Sequence, residues 1–68
     1  MLEVVKRKLR KLVTSGLVTE RYSDLTLEKI ARPLAKWYAE EGMWASMVSK
    51  MSLDDFYDDL LVFFQTLQ

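Results

Sequence analysis

Asp54, Asp55, Asp58 and Asp59 lie within six consecutive positions and are the densest set of side chains in this chain that could move protons or hold a cation. Acid–base chemistry with a carboxylate pair needs a cleft around it. A calcium loop needs alternating oxygen ligands, a turn glycine and a terminal glutamate, none of which accompanies these residues. His, Cys and Asn are all missing from the sequence. We therefore assign no catalytic, cofactor-binding or metal-ligating set, and we do not expect an enzyme or a small-molecule substrate. The four aspartates read as a solvated acidic face or a docking surface for a basic partner.

Lys6, Arg7, Lys8, Arg10 and Lys11 form a second group, interrupted only by Leu9. On a helix they wrap the polar face as a positive stripe, which suits nucleic-acid phosphates or anionic lipid heads with a salt-dependent affinity. Nucleic acid is thus the alternative partner read from the sequence, although a net charge of zero is unlike a dedicated nucleic-acid binder.

A third group is apolar. Trp37, Met43, Trp44, Met47, Met51 and Phe63 do not fall cleanly on the central stripe of any helix. Aromatic residues and Met are the types favoured at protein interfaces and their hot spots. Trp37, Met43, Trp44, Met47 and Phe63 are accordingly the expected partner-binding residues.

Charge is also divided along the chain. Residues 1–34 hold eight Lys/Arg against four Asp/Glu, and residues 35–68 hold two against six. The 68 residues are half apolar, too rich for a disordered segment. A chain this short buries only about 60% of its unfolded surface. With no disulfide or metal to reinforce so small a core, a protein partner or homo-oligomer is expected. The absence of cysteine suits a reducing compartment, and the cytoplasm is the expected location. The bases of the first helix interrupt any signal-like run, and no stretch approaches the length of a membrane span.

These groups must be positioned by helices, because no alternating strand pattern competes. Leu2, Val5, Leu9 and Leu12 recur at helical spacing and predict an amphipathic helix over 2–15. Gly16 is expected to end it in a Schellman cap, with Leu17 folding back on Leu12. Ser23 or Thr26 can cap a second helix over 24–41, whose stripe is Leu27, Ile30, Ala31, Leu34 and Tyr38. Pro33 lies deep inside it and removes one hydrogen bond, so a kink is expected there. Glu28 with Arg32 and Lys36 with Glu40 form i,i+4 pairs on its outer face. Gly42 is a second candidate cap, and 43–50 can form only a short helix or turn.

The last helix, 52–67, is the best signalled. Ser52 and Asp55 approximate a capping box, with Met51 and Phe56 placed as a hydrophobic staple. Its expected core face is Leu53, Phe56, Tyr57, Leu60, Leu61, Phe64 and Leu67. The fold expected is a single all-α domain, a small bundle of three main helices with a short helix or turn between the second and third. The function expected is that of a non-catalytic accessory or regulatory subunit.

Overall fold

The computed structural model describes residues 1–18 and 22–67, so the polar connector around 18–24 lies partly outside the described residues. The described residues form four helices and no strand. They are α1 (Leu2–Ser15), α2 (Asp24–Glu40), α3 (Ala45–Lys50) and α4 (Leu53–Thr66). The all-α bundle with a short third helix is the architecture expected from the spacing of apolar residues. No helix among the described residues is long and apolar enough to cross a membrane.

Helix α1 packs against α2, α3 and α4, and α2 also packs against α4. Val5, Leu9 and Leu12 of α1 meet Leu27, Ala31, Leu34, Ala35 and Tyr38 of α2, Val48 of α3, and Phe56, Leu60 and Phe63 of α4 in one core. The radius of gyration is 11.0 Å, close to the roughly 11 Å of a compact chain this long.

The helix ends show where local chemistry acts. Ser23 Oγ accepts from the Thr26 amide at 3.2 Å, so Ser23 and not Thr26 is the cap of α2, and Ser52 Oγ accepts from the Asp55 amide at 3.1 Å, so Ser52 caps α4 as expected. Helix α2 continues through Pro33 without a break. Pro33 is on the exposed face, where water can satisfy the Lys29 carbonyl that the missing N–H leaves without a donor. The Glu28–Arg32 pair closes to 2.9 Å and Lys36–Glu40 to 4.0 Å.

The Schellman motif forms at the other glycine from the one expected to carry it. At the end of α2 the Met43 amide donates to the Tyr38 carbonyl at 2.9 Å and the Gly42 amide to the Ala39 carbonyl at 3.1 Å, with Gly42 at φ 78°. Gly16 also takes a left-handed φ of 82°, but the Leu17 amide donates to Ser15 Oγ at 3.4 Å, whose hydroxyl donates to the Leu12 carbonyl at 2.8 Å. A serine relay thus replaces the backbone cap. Leu17 stays 40% exposed.

The core face of α4 is also rotated from the one expected. Phe63 is buried, whereas Leu61, Phe64 and Leu67 are 43%, 39% and 64% exposed. The apolar arc of α4 is wider than the contact that α1 and α2 offer it. Trp37 packs on Phe63, with ring centroids 5.8 Å apart, and so favours the Phe63 side of that arc.

Candidate functional site

The surface around α3 begins with the Schellman turn, which sets the direction of the chain from Gly42 into Trp44. Trp44 is the N-cap residue of α3, with an extended backbone at φ −100° and ψ 153° and no side-chain cap. Its carbonyl accepts from the Met47 and Val48 amides at 3.0 and 3.1 Å. Val48 is buried and anchors the short helix in the core. The backbone of Trp44 is therefore held from both sides while its indole is 70% exposed, with Met47 beside it on the next turn at 48%.

The five apolar residues singled out from the sequence do not form one patch. Trp44 and Met47 are at the surface. Met43 is half-buried against the core. Trp37 is half-buried too, its ring 5.2 Å from Tyr38 and 5.8 Å from Phe63 between centroids. Phe63 is only 4% exposed and belongs to the core, which corrects its placement among the surface residues.

The basic stripe is narrower than the spacing suggests. Lys8 is buried, its stem covered by neighbouring helices, and its ammonium group donates to the Met51 carbonyl between α3 and α4. A long aliphatic stem can be buried while the charged end meets a carbonyl at a helix C-terminus, where the macrodipole favours a cation. Lys6 lies 3.9 Å from Glu3, and Arg10 lies 3.5 Å from Asp24. Arg7 and Lys11 remain exposed, without an ion-pair partner among the described residues.

The aspartates of α4 separate as well. Tyr38 is buried, and its hydroxyl donates to Asp59 Oδ2 at 3.1 Å, with Met51 Sδ at 3.9 Å. Burial, then the nearby Asp59 charge and the hydrogen bond to it, push the Tyr38 hydroxyl far above the ordinary tyrosine range. This pair fastens α2 to α4. Asp54, Asp55 and Asp58 face solvent. The described residues contain no cluster of His, Cys, Asp or Glu suited to a metal ion.

An open apolar groove of about 270 Å³ lies between the ends of α1, α2 and α4. Val13, Leu17 and Val18 line one part of it, Leu27 and Ile30 another, and Tyr57, Leu61 and Phe64 the α4 side. Its signal was present in the sequence as surplus width in the apolar stripe of α4. Which part of that stripe stays uncovered depends on how the other helices pack.

Compared with protein-family models, curated proteins and solved structures, the chain gives no match.

Proposed function

We propose that this chain is a non-catalytic accessory or regulatory subunit that docks on a protein partner through Trp44 and Met47. The observation that carries this reading is an indole 70% exposed on a backbone fixed by the first turn of α3. A rigid corner loses little conformational entropy on binding, and a covered Trp contributes a large apolar area. The cytoplasm, where a chain without cysteine needs no oxidising environment, is the proposed location. The nucleic-acid alternative is less well supported, since Lys8 is withdrawn from the stripe and Lys6 and Arg10 have carboxylate partners.

Substitution of the exposed indole tests the reading. Trp44→Ala is expected to weaken binding of a protein that copurifies with the chain from its native host by about 2 kcal/mol, roughly 30-fold in Kd. The thermal melt of the variant should match that of the unmodified chain. A copurifying protein that binds both forms equally would overturn the proposal, as would a variant that unfolds.

A further inference from the structure

The groove and the charges of the two helices beside it belong together. Leu61 and Phe64 line the groove, yet they remain 43% and 39% exposed. With Leu67 they continue a stripe whose spacing is that of a core face, so among the described residues α4 presents a core face lacking part of its cover. Asp54 and Asp58 precede Leu61 on adjacent turns of the same side, at spacings of four and three. Beyond Val13 on the outward side of α1, Arg10 and Arg7 follow at successive spacings of three; Arg7 has no ion-pair partner among the described residues, and Arg10 shares an exposed pair with Asp24 that a second carboxylate can join. No ion pair joins α1 to α4 among the described residues. A basic helix and an acidic helix thus flank one apolar groove without neutralising each other.

We infer that a second copy of this chain covers the groove in a two-fold symmetric homodimer. In an isologous contact whose axis runs along the groove, α1 of one copy lies over α4 of the other, and the same pairing repeats by symmetry. Arg7 and Arg10 then meet Asp54 and Asp58 twice, while the Leu61 and Phe64 edges share one apolar centre. The division of charge into a basic α1 and an acidic start of α4 supplies the opposite-sign patches that such self-pairing uses. A standard interface takes about 800 Å² from each partner, which one face of a body 29 × 27 × 20 Å can supply. This contact lies away from the α3 corner and does not rest on the docking role of Trp44.

Sedimentation velocity from about 10 µM to about 1 mM at low salt provides the test. The mass should rise with concentration from 8.0 kDa toward twice that value, and the rise should diminish in high salt. Phe64→Glu should leave a monomer. Arg7→Glu with Arg10→Glu, and separately Asp54→Lys with Asp58→Lys, should each weaken association by at least about tenfold. An equimolar mixture of these two charge-reversed chains should dimerise again, because each then carries one sign on both helices. Circular dichroism confirms that every variant is folded. The unmodified chain remaining monomeric throughout would overturn the inference, as would dimers indifferent to these changes or charge-reversed chains that fail to rescue each other. Trp44→Ala should leave the dimer intact, so loss of the α3 partner and loss of the dimer are separate results.

Discussion

Trp37 and Trp44 show how far two residues of one type can diverge. Trp37 lies on Tyr38 and Phe63, and its removal opens a gap beside the core. Trp37→Ala is expected to lower folding stability by about 2–3 kcal/mol, somewhat below a fully buried aromatic because part of the ring is solvated. Urea denaturation measures this directly, and Trp44→Ala is the control expected to change little. Tyr38 makes a second residue-scale prediction. Its folded-state pKa is raised, so the unfolded chain releases the proton first as pH rises. The resulting stabilisation is complete below the unfolded tyrosine pKa of about 10 and is lost above it, by about 1.4 kcal/mol per pH unit until the folded group titrates. Tyr38→Phe should cost about 1 kcal/mol at pH 7 and show a correspondingly shallower fall between about pH 10 and 11. Denaturation of both proteins at pH 7 to 11 tests the difference, since the other tyrosines and lysines are common to both.

At the scale of elements, the starts of α2 and α4 were legible because a capping serine acts on an amide only three residues away. Ser52→Ala should therefore destabilise by about 1 kcal/mol, and superimposable thermal melts would show that the cap contributes nothing. Helix ends were less legible. Gly16 and Gly42 both reach the left-handed region, but only Gly42 completes the backbone motif. At Gly16 the neighbouring Ser15 hydroxyl competes for the same donor and carbonyl. The pattern of α4 identified a helix but not the centre of its buried arc. Seven of its apolar residues fit a plausible face, and Phe63 entered the core while Leu61, Phe64 and Leu67 stayed out. A local period specifies an arc, whereas neighbouring helices determine which part of it they cover.

For the whole molecule, the residues by themselves determined an all-α chain, the approximate limits of its four helices, the Ser52 cap and the division of charge. The charge division is read directly from composition, and the others follow from interactions within a few positions, where spacing in sequence is spacing in space. Only tertiary structure decided that Lys8 leaves the basic stripe for the Met51 carbonyl, 43 residues away. It likewise decided that Tyr38 pairs with Asp59, that Phe63 is core, that Trp44 and Met47 face outward, and that a groove opens beside Leu61 and Phe64. These outcomes depend on the order and angle in which helices meet. Packing selects among faces that local sequence leaves nearly equivalent, because apolar burial is non-directional and proportional to area.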